Sequence, residues 1–266
     1  MKKCSLLLFI LFSVFLTGCN KNQINYKYIV DLPDKVKGAP VVFMLHGFGS
    51  TAENFKDDTK FGETANKRGY AVIYINSSSA GWSSGAGADT NDDVKGLCNL
   101  AKSIQKEFQF DKNRMYVAGY SNGGFMVHRL ITEGKGTFKA GICVAGDMSK
   151  SVWKDRKSKT KTSFFQISGE KDDAVPKKSN GTAAHSLDPA IEDVLEYYAA
   201  SDSLDISSPE VSTVGNDSVL TKYNAPGVKN QVWHLFVADG RHAWPSMKYN
   251  NIDINSMIID FLDSVQ

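Results

Sequence analysis

From residue 40 onward, short apolar runs alternate with amphipathic stretches. The runs Pro40–Leu45, Tyr70–Ile75, Arg114–Ala118, Lys139–Val144, Ser163–Ile167 and Gln231–Val237 are continuous rather than alternating. That pattern predicts strands buried on both faces of a parallel sheet. Tyr26–Leu32 alternates weakly, as expected of an edge strand entering the domain. Between them, Phe61–Arg68, Val94–Gln109, Phe125–Thr132, Ile191–Ala200 and Ile254–Val265 read as helices; on Val94–Gln109 the residues Leu97, Leu100, Ala101, Ile104 and Phe108 share one face, with Asp92 or Asp93 as cap. Strands alternating with helices predict an α/β fold, a mostly parallel twisted sheet with helices on both faces. Ser201–Lys229 reads as a long polar connection with room for one strand near Leu220–Tyr223, after which Gln231–Val237 closes the sheet.

The first residues stand outside this pattern. Lys2 and Lys3 precede a short apolar run, Ser5 to Thr17, which has the form of a secretory signal and is too short to span a bilayer comfortably. It ends in Leu16-Thr17-Gly18-Cys19, which resembles a bacterial lipobox. The expectation is therefore a lipoprotein signal over residues 1–18 and a single folded domain over 19–266, exported and held at a bacterial membrane through lipid on Cys19. A plain signal peptide with a chance cysteine is the alternative. In the folded part only Cys98 and Cys143 remain; an exported pair could form a disulfide, but with one in a predicted helix and one in a predicted strand they read as two small buried thiols.

Composition narrows the partners. The formal net charge is +2 and most basic residues are scattered, so no nucleic-acid surface is expected. The exception is Ser149–Lys161, a loop carrying Lys150, Lys154, Arg156, Lys157, Lys159 and Lys161. Both a solvated connection and a surface for an acidic polymer or lipid head groups fit that run. No Cys/His cluster has metal-ligand spacing.

The chemistry centres on Gly119-Tyr120-Ser121-Asn122-Gly123-Gly124, between a predicted strand and a predicted helix. A serine with glycine two residues to either side, at that junction, has the form of a nucleophile elbow: a strained turn that leaves the hydroxyl at its tip and aims the helix N-terminus at a developing oxyanion. His46-Gly47-Phe48-Gly49 follows another buried strand, and the Phe48 and Asn122 amides are the expected oxyanion hole. Of five histidines, only His242 follows the last strand in a loop after the serine, and a base there completes the order nucleophile, acid, histidine. The acid lies just past Ser163–Ile167, where Asp172 and Asp173 both qualify. Asn76–Asn91 is a small-residue loop at a strand end in which Trp82 is the one large apolar residue, equally suited to stacking on substrate or to the core.

Taken together, Leu45–Gly49, Asp92-Asp93-Val94, Arg114–Gly124, Gly169–Pro176 and His242-Ala243-Trp244-Pro245 resemble the polyhydroxybutyrate depolymerase and feruloyl esterase family of α/β-hydrolases, over about residues 35 to 264. The resemblance implies an α/β-hydrolase fold and hydrolysis of carboxylic esters, with Ser121 as nucleophile, His242 as base and Asp172 as the residue that orients it. It also implies ester substrates and no cofactor, and Trp244, in the His-x-Trp-Pro ending, joins Trp82 as a candidate substrate contact. Ser246 stands where the family often has glycine, and the cysteines that staple some members are absent. A peptidase or thioesterase on the same fold is the alternative, and a non-catalytic tethered binding protein is a further one.

Overall fold

The computed structural model describes residues 24–87, 92–175, 189–246 and 250–265. The expected signal segment, Cys19, part of the Asn76–Asn91 loop, Pro176 and His185 lie outside the described residues.

A nine-stranded sheet organises the chain. In sequence order the elements are β1 (Tyr28–Asp31), β2 (Val41–Leu45), α1 (Ala52–Thr59), α2 (Phe61–Lys67), β3 (Ala71–Ile75), α3 (Asp93–Phe108), β4 (Met115–Tyr120), α4 (Asn122–Glu133), β5 (Ala140–Val144), α5 (Lys150–Asp155), β6 (Ser163–Gly169), α6 (Ile191–Ser201), β7 (Glu210–Val214), β8 (Ser218–Tyr223), β9 (Val232–Val237) and α7 (Ile254–Ser264). The strand order is β1-β3-β2-β4-β5-β6-β9-β8-β7. From β3 to β9 all neighbours are parallel; β1 at one end and the β7–β8 hairpin at the other are antiparallel.

The continuous apolar runs make sense in this frame, because each central strand packs on both sides. Along β2, Val41, Phe43 and Leu45 join the core beneath α3, α4 and α6, while Val42 and Met44 join the opposite core beneath α1, α2 and α7. Parallel pairing needs crossovers, and the helices supply both the crossovers and the cover.

Four expectations are corrected. β9 does not close the sheet: β8 and β7 continue it, so the Ser201–Lys229 connection holds two strands rather than one. The basic segment after β5 is not all loop, since Ser149 caps the short helix α5. Helix α1, absent from the sequence reading, is capped by Thr51 and buries only Ala52, Phe55 and Thr59. The helix predicted from Val94 begins one residue earlier, with Asp92 as its cap, while Asp93 turns inward.

Cys98 and Cys143 are free and buried. Their sulfurs abut Gly134 and Gly124 at the two ends of α4, ten residues or about 15 Å apart along a helix, which is too far for a disulfide. No helix of the described residues is long and apolar enough to cross a membrane.

Candidate active site

The register of the sheet brings the site together. Leu45 pairs with Gly119, so the chain leaving β2 and the chain leaving β4 emerge side by side at the carboxyl edge. Ser121 sits there at φ 53° and ψ −119°, the one residue between β4 and α4. This is a conformation that costs a non-glycine residue on the order of 1–3 kcal/mol and persists only because the surroundings enforce it. The enforcement is visible: a Cβ on Gly119 would lie 2.2 Å from the Gly123 carbonyl oxygen, and one on Gly123 would lie 2.2 Å from that of Leu45. Only glycine lets strand, turn and helix approach this closely.

Two further loops meet the serine. Past β6 and β9, the chain segments are bound to each other through Glu170 N–H to the Val237 carbonyl (3.0 Å) and Lys171 N–H to the Gly240 carbonyl (2.7 Å). The first segment carries Asp172 and the second His242. Ser121 Oγ lies 2.8 Å from His242 Nε2, and His242 Nδ1 lies 2.9 and 3.1 Å from the two carboxylate oxygens of Asp172. Since a carboxylate accepts, Nδ1 carries the proton and Nε2 faces the hydroxyl as an acceptor. Asp172 Oδ1 also accepts from the Ala174 and Val175 amides, at 3.0 and 2.8 Å. The Asp172 side chain is 1% exposed and that of His242 23%, which keeps the ion-pairing group dry and leaves the imidazole reachable from solvent. Asp173, the other candidate acid, points outward.

The amides expected to hold an oxyanion are available. Neither Phe48 N–H nor Asn122 N–H has a hydrogen-bond acceptor among the described residues. The Asn122 side chain is occupied elsewhere, accepting from the Trp82 amide at 2.6 Å and donating to Ser84 Oγ at 2.9 Å. The loop it holds is also anchored by the buried Asp93, whose carboxylate accepts from Ser83 N–H (2.8 Å), Ser83 Oγ (2.9 Å) and Tyr26 OH (2.5 Å).

The two tryptophans differ from a stacking surface. Trp82 is 1% exposed, packs on Tyr26 and His46, and donates its indole N–H to the His46 carbonyl at 2.9 Å, so it is core. Trp244 is half-buried against Phe55 and donates to Asn255 Oδ1 at 3.1 Å, tying the His242 loop to α7. The aromatic ring that does face solvent beside the turn is Phe48, 73% exposed and adjacent to Gly81. Its amide was the feature legible in the sequence, and its ring was not.

Tyr120 was also missed. Its hydroxyl donates to the His242 carbonyl at 2.9 Å and its ring lies 5.2 Å from the imidazole, bracing the loop. Burial, with the Asp172 charge, pushes this phenol up to about 12, so it stays a donor. Buried His46 is kept neutral: Nδ1 donates to the Gly47 carbonyl at 2.7 Å, Nε2 accepts from Ser77 N–H at 3.1 Å, and burial lowers its pKa. A void of about 20 Å³ behind the His242 loop, lined by Ala145, Ile167 and Pro245 among others, has room for about one water and not for a substrate.

The chain superposes on the acetyl xylan esterase from Aspergillus awamori with a TM-score of 0.64 at 14% identity, covering 97% of this chain and 98% of that one. The fold is that of the α/β-hydrolases. A Bacillus cereus carboxylesterase is similar over 91% of this chain and 95% of its own, with a TM-score of 0.56 and 14% identity. In sequence, residues 61–158 match the prolyl oligopeptidase family. Feruloyl esterase B of Neurospora crassa is 26% identical over 141 residues, 49% of this chain and 47% of the relative. An acetylxylan esterase of Coprinopsis cinerea is 29% identical over 140 residues, 49% of this chain and 37% of the relative. The chain thus spans less than half the length of these curated relatives.

Proposed function

We propose that this protein is a serine carboxylic ester hydrolase whose triad is Ser121, His242 and Asp172. The observation that carries the reading is the unbroken relay from the serine hydroxyl to the imidazole to a buried carboxylate, at 2.8 and 2.9 Å, beside two unpaired amides. In the reaction, His242 Nε2 takes the Ser121 proton as Oγ attacks the ester carbonyl carbon. The carbonyl oxygen becomes an oxyanion between the Phe48 and Asn122 amides, each contributing on the order of 3 kcal/mol to lowering the barrier. Collapse expels the alcohol, which takes the proton from His242. Water then attacks the acyl-enzyme by the same route, releasing acid and Ser121. Asp172 holds the Nδ1–H tautomer and stabilises the imidazolium that forms transiently.

Relatives named as acetylxylan and feruloyl esterases favour an acyl group carried on a carbohydrate over a polyhydroxybutyrate polyester as the substrate. Purified protein should therefore turn over acetylated xylan or methyl ferulate faster than hydroxybutyrate oligomers. The match to the prolyl oligopeptidase family favours a second reading, a peptidase, although it ends before Asp172 and His242. Assaying p-nitrophenyl acetate beside a prolyl peptide p-nitroanilide separates the two: an esterase turns over only the ester, whereas a peptidase also cleaves the anilide, whose amine leaving group must be protonated as the C–N bond breaks. We also propose that Cys19 carries lipid after export. Cys19→Ser should then move the protein from the detergent phase to the aqueous phase in a Triton X-114 partition.

A further inference from the structure

Four large apolar side chains are exposed among the described residues: Leu32, Phe48, Ile206 and Val211. Leu32 lies past the Asp31–Val72 pair, at the sheet edge opposite the site, and Ile206 and Val211 lie before and on the outermost strand β7. Of the four, only Phe48 stands at the catalytic edge, and it is the most exposed. Its surroundings hold the ring without covering it. Gly49 N–H donates to the Ala80 carbonyl at 2.7 Å, which ties the turn after β2 to the loop after β3. The ring rests on Gly81, where a Cβ would lie 2.8 Å from Phe48 Cδ2 and 2.8 Å from Asn122 Oδ1. Glycine at that point lets the ring come in beside Asn122, yet supplies no side chain to bury it.

Covalent geometry ties this ring to the reaction. Phe48 offers its amide to the oxyanion, and its own bonds keep the ring within about 5 Å of that amide. The amide in turn stands about 3 Å from the oxygen it stabilises, so any ester attacked by Ser121 has its carbonyl oxygen within roughly 8 Å of the ring. Strand order decides which half of the ester meets it. Phe48 follows β2, on one side of β4, and its ring leans on the loop after β3, further out on that side. Asp172 and His242 follow β6 and β9, on the other side of β4. The departing alcohol must take its proton from His242 Nε2, which lies 2.8 Å from Ser121 Oγ, so the alcohol half points toward β5 and β6. The acyl half is left facing Phe48.

We propose that the Phe48 ring is the contact for the acyl half of the ester and selects acyl groups that carry a ring of their own over acetyl. The inference rests on the esterase reading for the reaction. Two rings brought together in this way gain from offset or edge-to-face stacking, which an acetyl group cannot do. Trp82 and Trp244 are engaged in packing and hydrogen bonds elsewhere, so neither competes for the role.

The test uses two isomeric esters: methyl phenylacetate, with its ring in the acyl half, and benzyl acetate, with its ring in the alcohol half. Methyl acetate is the ringless reference. Phe48→Ala should lower kcat/KM for methyl phenylacetate about tenfold relative to methyl acetate, chiefly through KM, while benzyl acetate follows methyl acetate. The reference absorbs any shift of the Phe48 amide, since a weakened oxyanion hole slows all three esters alike. Phe48→Tyr keeps the ring and should restore the wild-type ratio, and both variants should keep the wild-type melting transition. Equal losses on all three esters, a loss confined to benzyl acetate, or an unaltered ratio would overturn the proposal while leaving the esterase reading intact. Failure of the wild-type protein to turn over any of the three would overturn both.

Discussion

Asp172 is fixed by more than its histidine. Two backbone amides and the imidazole share its carboxylate, so Asp172→Asn should keep the loop in place through the remaining amide oxygen while offering the wrong partner to Nδ1. Ester turnover should fall on the order of 10³ to 10⁴-fold with little change in melting temperature; a fall of only a few-fold would remove Asp172 from the relay. The sequence left Asp172 and Asp173 equal as residues, and only the resemblance separated them. What distinguishes them physically is which one turns toward the loop after β9, a tertiary fact. His128 carries a different consequence. It is fully buried in α4, with Tyr198 OH 3.1 Å from Nδ1 and no partner for Nε2 among the described residues, and burial pushes its pKa from 6.5 down to about 3. Between those values the unfolded chain binds a proton that the folded chain refuses. Stability is therefore full above pH 6.5 and declines as pH falls, on the order of 1 kcal/mol per pH unit. Urea unfolding at pH 7 and pH 5 should show wild type losing about 2 kcal/mol more than His128→Phe across that interval; identical losses would refute the assignment.

At the level of elements, the elbow is the part most fully legible in sequence, because its glycines answer a local steric demand. Gly123→Ala would set a methyl 2.2 Å from the Leu45 carbonyl oxygen, against backbone that cannot yield cheaply. The expected result is a loss of several kcal/mol or failure to fold, read by thermal melting. Tyr120→Phe tests the brace on the His242 loop. Losing one hydrogen bond of about 1 kcal/mol should lower kcat about fivefold while p-nitrophenyl ester KM holds, and an unchanged kcat would make the hydroxyl merely structural. Elements that escaped the sequence reading share a trait: they bury little. α1 hides three of eight residues, α5 hides Val152 alone, and β7 is exposed along four of its five positions, so none of them imprints a periodicity. β7 forms because β8 offers it an edge, which is information held elsewhere in the chain.

Across the molecule, the doubly covered sheet was readable because parallel strands from β2 to β9 must be apolar on both sides. The strand order past β9 was not, since it depends on how a polar connection folds back on the sheet edge. That order nonetheless matters to the site only indirectly: β2, β4, β6 and β9 deliver Phe48, Ser121, Asp172 and His242 to one edge, and all four strands were legible. Trp82 shows the limit of such reading. A lone aromatic in a loop of small residues looked as fit for substrate as for packing, and the buried Asp93 anchor beneath the loop decides for packing. The central claim is that convergence at this edge makes one alcohol nucleophilic. Labelling with a fluorophosphonate followed by peptide mass spectrometry tests it directly. A single adduct on Ser121, abolished by Ser121→Ala and by His242→Gln in protein that still melts cooperatively, is the predicted result; an unlabelled Ser121, or labelling that survives loss of His242, would contradict it.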